Sequence, residues 1–231
     1  MKGSVVLIPA YRPPVTLPAL IKEILKSRQV SQVIVVDDGS EEGWLCHEDW
    51  RLRIEDWRLR IIDRKHKGKG AALRAGLAEA YRHLEGHSVV TADADGQHTA
   101  KDILRVAEYM DLIDQTRVVT GSRTGPMPWR SRLGNAVARF LLYRCGVMIH
   151  DTQCGLRGIP WPLVEPLSKL PYDGYDFETA MLLAAHRDGW IIRDLPIGTV
   201  YEKGNRSSHF RPLRDSWSIL KVIVKEGLLR P

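Results

Sequence analysis

The sequence contains no run of roughly 18 consecutive apolar residues, the length a membrane-spanning helix needs. Its start, MKGSVVLIPAYRPP, has too short an apolar stretch for a secretory leader. Cysteine is scarce: Cys46, Cys145 and Cys154, none in CxxC spacing. That excludes a disulfide framework and a thiolate zinc site, and fits a reducing compartment. Only three Phe occur, so basic residues are not interleaved with an aromatic stacking platform of the kind that binds single-stranded nucleic acid. The phosphate-loop pattern GxxxxGK[ST] and the dinucleotide pattern GxGxxG are both missing. No His–carboxylate pair stands out for proton transfer. Acidic residues are absent from Arg117 to Arg144, which holds six arginines.

What is present is a globular chain of 231 residues, 44% hydrophobic, long enough for one generous domain with a real core. The net charge of +6 is unevenly spread. Lys203 to Pro231 carries seven Lys/Arg against Asp215 and Glu226, so two C-terminal segments are basic and the remainder is mildly acidic. Such asymmetry points to an anionic partner. Short apolar runs at 4–8, 32–36, 89–92 and 117–120 read as buried strands. Helical patterns fall at 17–25, 70–84 and 100–112. Thr16 is placed to cap the first helix, with Pro18 in its first turn. Strand–helix alternation of this kind predicts an α/β fold with a mostly parallel central sheet, helices on both faces, and ligands at the carboxyl ends of the strands. EDWRLRI occurs twice in tandem, at 48–54 and 55–61; the spacing predicts a helix for the first copy and a strand for the second.

Four polar constellations follow predicted strands or open helices. In VVDDGS, Asp37 and Asp38 could accept hydrogen bonds from a ribose or base, or build an Asx turn. The loop Lys65-His-Lys-Gly-Lys-Gly70 opens a helix, where glycines and Lys69 suit an anion. In TADADGQH, Asp93 and Asp95 stand two apart and repel unless a cation lies between them. Such oxygen ligands suit Mg²⁺ or Mn²⁺, with Gln97 as a third donor and with water and a diphosphate completing the shell. His98 has no role that the sequence supports. Finally Arg123, Arg130, Arg132 and Arg206 lie at a strand end or in polar loops, and a guanidinium fork grips phosphate well.

The motifs IPAYRPP, VVDDGS, GKGAALRAG, DADGQH, GSR, DTQCGLRG, YDFET and RSSHFRPLRD stand in the order found in family 2 glycosyltransferases. Over nearly the whole chain the sequence resembles the polyprenyl-phosphate glycosyltransferases, the group containing dolichol-phosphate mannose synthase. The resemblance implies a GT-A fold over residues 1–212, a Rossmann-like αβα sandwich. It implies that Pro9, Ala10, Tyr11, Asp37 and Asp38 line the nucleotide pocket, with Asp93, Asp95 and Gln97 on the metal. It implies an inverting transfer from a nucleotide-diphosphate sugar to a polyprenyl phosphate. Lys69 would offset charge on the donor diphosphate, and Arg123, Arg132 and Arg206 would hold the acceptor phosphate. That nucleophile is already ionised at pH 7 and needs no strong base. In a competing reading, a soluble transferase acts on a sugar or protein hydroxyl with Asp176 or Glu178 as base. In another, a non-catalytic binding module presents its basic face. Asp151 and Gln153 take a supporting role. One departure is visible: Arg12 and Pro13 stand where the family usually has Asn and Glu, so a carboxylate contact to the nucleotide is in question and the base stays open between uracil and guanine.

A polyprenyl phosphate is confined to a membrane. The segments 133–148 and 217–228 each carry an apolar stripe beside basic residues, which suits helices lying on an anionic membrane surface as much as ordinary core packing. Residues 213–231 are thus expected to form an amphipathic interfacial helix. The expected location is cytoplasmic, peripheral at the inner membrane face, alone or with a separate membrane-protein partner, and with no nucleic-acid partner.

Overall fold

The computed structural model describes residues 3–40, 54, 56–113, 115–125, 129–198 and 211–229. Seven strands form one sheet: β1 (Ser4–Ala10), β2 (Val30–Asp37), β3 (Leu59–Asp63), β4 (Ser88–Thr91), β5 (Arg117–Arg123), β6 (Arg157–Pro160) and β7 (Ile191–Ile197). Their spatial order is β3-β2-β1-β4-β6-β5-β7. All neighbours run parallel except β6, which is antiparallel to both β4 and β5. The expected mostly parallel sheet is therefore present.

Helices cover both faces. On one side lie α1 (Leu17–Leu25) and α3 (Ala100–Leu112); on the other lie α2 (Lys69–His83), α5 (Trp161–Ser168) and α6 (Asp176–Arg187). The period of two in β1 divides the core. Val5 and Leu7 pack with α2, whereas Val6 and Ile8 pack with α1 and α3. All seven β1 residues are buried, as a doubly covered strand requires. Thr99 caps α3 by accepting from the Asp102 N–H at 3.1 Å and donating to its Oδ2 at 2.7 Å. Thr16 behaves differently: its backbone is already helical and its side chain makes no cap hydrogen bond, because the cap geometry needs an extended residue there.

Two further helices are α4 (Trp129–Arg144) and α7 (Pro212–Val222); α7 packs on α6 and continues as a π-helical turn, Ile223–Leu228, which also touches α4. Within the tandem repeat, the second copy is extended from Leu59 onward, while Trp57 sits in the preceding turn, 83% exposed. The first copy lies outside the described residues apart from Ile54, which is buried.

Candidate active site

The carboxyl ends of β1 and β2 are in register, Ala10 beside Asp37, and the Asp38 N–H donates to the Ala10 carbonyl at 2.8 Å. This brings Pro9, Ala10, Asp37 and Asp38 to one edge. Asp37 Oδ1 accepts from the Ser40 N–H at 2.9 Å and its hydroxyl at 2.6 Å, the Asx turn that Asp-Asp-Gly-Ser favours. Ser40 Oγ in turn accepts from the Arg12 N–H at 2.8 Å. Asp38 is 2% exposed and accepts the N–H groups of Lys67 and Gly68, with Arg64 and His66 alongside. It therefore fixes the glycine-rich loop at the head of α2. Gly68 has φ 121°, and a Cβ there would meet the Asp173 carbonyl at 2.5 Å, so glycine is required. The Tyr11 ring stacks on His66 with centroids 4.4 Å apart, and the Arg12 guanidinium lies 5.4 Å from the Tyr11 centroid.

Asp93 and Asp95 follow β4. Lys69 Nζ, at the start of α2, lies 2.6 Å from Asp93 Oδ1 and 2.9 Å from Glu178 Oε2 at the start of α6. Burial alone would lower the lysine pKa, but these two carboxylates raise it well above the usual value. Burial likewise pushes Asp93 upward, and Lys69 followed by His98 more than reverses it, leaving Asp93 well below the ordinary range. His98 is 4% exposed, with Nε2 3.6 Å from Asp93 Oδ2 and no partner for Nδ1 among the described residues. Asp95 shifts the other way. Burial and then the Asp93 charge hold it above its ordinary value. Gln97 donates its backbone N–H to Asp95 Oδ1 at 3.0 Å.

The donor set fits a divalent cation. Asp95 is held up by the neighbouring Asp93 charge even with Lys69 and His98 close by, so a cation shared by the two carboxylates would relieve a repulsion the protein leaves in place. No group of three or more His, Cys, Asp or Glu gathers into a metal cage among the described residues. Such an open, oxygen-rich site suits Mg²⁺ or Mn²⁺ that takes the rest of its shell from a diphosphate and water.

Arg123, at the end of β5, forms a two-pronged pair with Asp151: Nε to Oδ2 at 2.5 Å and Nη2 to Oδ1 at 3.0 Å. The Gln153 N–H also donates to Asp151 Oδ1, and the Gln153 side chain is exposed. Arg132 is exposed on α4. Arg206 lies outside the described residues. Asp176 Oδ1 accepts from the Gly174 N–H at 3.1 Å, and burial raises its pKa. Glu178 is tied to Lys69, while its carbonyl accepts from Arg157 Nη1 at 2.5 Å.

The glycosyl transferase family 2 profile matches residues 5–156. The chain belongs to this family. The polyprenol monophosphomannose synthase of Mycolicibacterium smegmatis is 32% identical over 206 residues, covering 84% of this chain and 76% of that protein. The UDP-N-acetylglucosamine–dolichyl-phosphate N-acetylglucosaminyltransferase of Methanococcus voltae is 31% identical over 215 residues, with 84% of each covered. Among solved structures, the Mycobacterium tuberculosis glucosyl-3-phosphoglycerate synthase in complex with UDP aligns over 98% of this chain and 80% of that one, with a TM-score of 0.73 and 19% identity. The same enzyme with Mn²⁺, UDP and phosphoglyceric acid aligns equally well, again at 0.73. The GT-A fold expected from the sequence is thereby established, and the protein is a family 2 glycosyltransferase.

Within this glycosyltransferase the structure brings together Asp93, Asp95, Lys69 and Glu178, and separately Arg123 with Asp151. Four pairings escaped sequence reasoning: Lys69 with Glu178, Tyr11 with His66, Arg123 with Asp151, and His150 with Asp194. His66 lay within a loop already singled out, and His150 adjoins Asp151 in a family motif. No spacing rule joins either to its partner.

Proposed function

We propose that the protein moves a sugar, with inversion, from a nucleotide-diphosphate sugar to a polyprenyl phosphate, and that it depends on a divalent metal. One observation carries the choice of acceptor. Glu178, a candidate base for a hydroxyl acceptor, is engaged by the Lys69 ammonium, and Asp176 accepts a backbone N–H at the head of α6. A phosphate acceptor needs no base, because its oxygen is already anionic at neutral pH. The resemblance to polyprenol and dolichyl-phosphate transferases points the same way.

In this reading the Asp37–Ser40 turn and the Tyr11–His66 stack receive the nucleoside, with Pro9, Ala10 and Asp38 shaping the pocket. Asp95, with Asp93 and Gln97 beside it, would hold Mg²⁺ or Mn²⁺, which supplies positive charge to the departing diphosphate. Lys69 keeps Asp93 ionised and in place. The acceptor phosphate oxygen attacks the anomeric carbon from the face opposite the diphosphate, whose bond to the sugar breaks. Arg132 and Arg206 would orient that phosphate, together with Arg123, whose Nε and Nη2 are already held by Asp151.

The lipid acceptor calls for a membrane surface. Val137, Phe140, Tyr143 and Met148 are each more than half exposed on or just after α4, and so are Trp217 and Leu229 at the C-terminal end. Cys145 lies against Gly227, so the end of α4 and the π-helical turn are in contact. Exposed Arg139, Arg144, Arg214, Lys221 and Lys225 surround them. An apolar patch with a basic rim suits peripheral docking on the anionic inner face. No helix among the described residues is long and apolar enough to cross a membrane.

The test is a nucleotide-release assay with UDP- and GDP-sugars, with and without polyprenyl phosphate and Mn²⁺. Release that requires both additions is the expected result. Release that ignores the lipid phosphate would overturn the acceptor, and full turnover in Asp95→Ala would overturn the metal assignment.

A further inference from the structure

The segment from His150 to Gln153 is held from three sides. Asp151 pairs with Arg123 of β5. Asn135 of α4 donates from Nδ2 to the His150 carbonyl at 3.1 Å, and its Oδ1 accepts from both the N–H and the hydroxyl of Thr152 at 2.8 Å. Asp194 of β7 accepts from His150 twice at Oδ2, from Nδ1 at 2.7 Å and from the backbone N–H at 3.0 Å. Its other oxygen accepts from the buried Thr120 hydroxyl at 2.9 Å.

This arrangement fixes the imidazole. A carboxylate cannot donate, so Nδ1 carries the proton facing Asp194, and Nε2 is the ring nitrogen left to meet a ligand. The His150 side chain is 78% exposed, whereas that of Asp194 is only 16% exposed. A solvent-facing histidine oriented by a nearly buried carboxylate is preorganised; an ordinary surface histidine would sample several rotamers. Its neighbours are those assigned to the acceptor. Arg123 is bonded to the next residue in the chain. Arg132 stands three residues before Asn135, on the same side of α4. The exposed apolar Met148 lies two residues before His150, toward the docking patch.

We propose that His150 is an acceptor-side contact, with Nε2 sharing one proton with a phosphate oxygen of the polyprenyl monophosphate. The neutral ring accepts that proton from the phosphate monoanion, and the protonated ring donates it to the dianion. Asp194 and Thr120 are positioning residues for this contact. The assignment rests on the polyprenyl-phosphate reading of function.

His150→Asn keeps a donor near the Nδ1 position and removes Nε2; His150→Lys restores a cation. With polyprenyl phosphate varied at fixed donor, His150→Asn should raise the acceptor KM about tenfold or more, the loss expected of a charge-assisted hydrogen bond. The donor KM should stay unchanged, and His150→Lys should recover part of the loss. An unchanged acceptor KM in His150→Asn overturns the proposal, as does a donor KM that rises in parallel. A second measurement needs no turnover. In ¹⁵N-histidine-labelled protein, the Nε2 resonance absent from His150→Asn spectra should move on titration with farnesyl phosphate and not with farnesol. If the wild type fails to use polyprenyl phosphate, the functional reading falls, and this titration decides the His150 contact by itself. No shift, or an equal shift with the alcohol, removes it.

Discussion

At the scale of single residues, the two carboxylates of Asp93-Ala-Asp95 have opposite electrostatic fates. Asp93 is held low because Lys69 and His98 outweigh its burial, and Asp95 is held high by burial and by Asp93. A carboxyl whose pKa is lower in the folded chain adds stability above its unfolded value, about 3.9, and loses it as pH falls through the folded value. A raised carboxyl does the reverse. It costs stability at pH values above its folded pKa, and the cost vanishes below about pH 3.9. Asp95→Asn is therefore expected to raise the thermal midpoint of the metal-free protein at pH 7. The gain should disappear below about pH 4, and nucleotide release should be lost. Calorimetry in EDTA at both pH values checks this; a midpoint that falls at pH 7 contradicts it. In the proposed reading, a divalent cation bound by Asp95 would offset this cost.

At the scale of elements, α7 and the π-helical turn divide their faces. Val222 and Ile223 join the core at 3% and 1% exposure, while Trp217, Val224 and Leu228 face outward. The apolar stripe read from the sequence at Trp217, Leu220, Val224 and Leu228 is thus exposed at 217, 224 and 228 and half-buried at 220, and a different pair does the packing. Deleting residues 213–231 would open the core as well as remove the stripe, so point variants are the cleaner probe. Phe140→Glu and Trp217→Glu replace side chains 63% and 58% exposed. Each should change folding stability by no more than about 0.5 kcal/mol. Together they should abolish co-sedimentation with anionic liposomes and leave neutral-liposome controls at background. Retained co-sedimentation would mean that the patch is not the docking surface.

For the whole molecule, the antiparallel β6 is the seam between the parallel half β3-β2-β1-β4 and the parallel pair β5-β7. Arg157, at the start of β6, is 1% exposed and crosses this seam. Nε donates to the Cys154 carbonyl at 3.1 Å and Nη1 to the Glu178 carbonyl. It thereby fixes the head of α6, and with it the Glu178–Lys69–Asp93 chain. Replacing it by Met takes the guanidinium donor from the Cys154 carbonyl and unties the Glu178 carbonyl, which keeps its helical hydrogen bond, at a cost of roughly 1–3 kcal/mol. Urea denaturation should record that loss, and kcat should fall further than the unfolded fraction accounts for. Activity that tracks the folded fraction alone would show that Arg157 serves stability only.

The sequence by itself determined the order of strands and helices from β1 to β5 and the position of each polar motif, whereas β6, α5 and β7 gave no reading of their own. Apolar period and turn residues are local properties, and Val33 to Val36 or Thr99 with Asp102 declare themselves within a few positions. It also carried the family, through motifs whose order survives. Tertiary structure alone decided the partners. His150 and Asp194 are 44 residues apart, and Arg123 and Asp151 28 apart. Lys69 meets Glu178 only because α2 and α6 begin at the same edge of one sheet. Such pairings depend on strand order and on which layer each helix joins. These are set by packing across the whole core, and no local period encodes them.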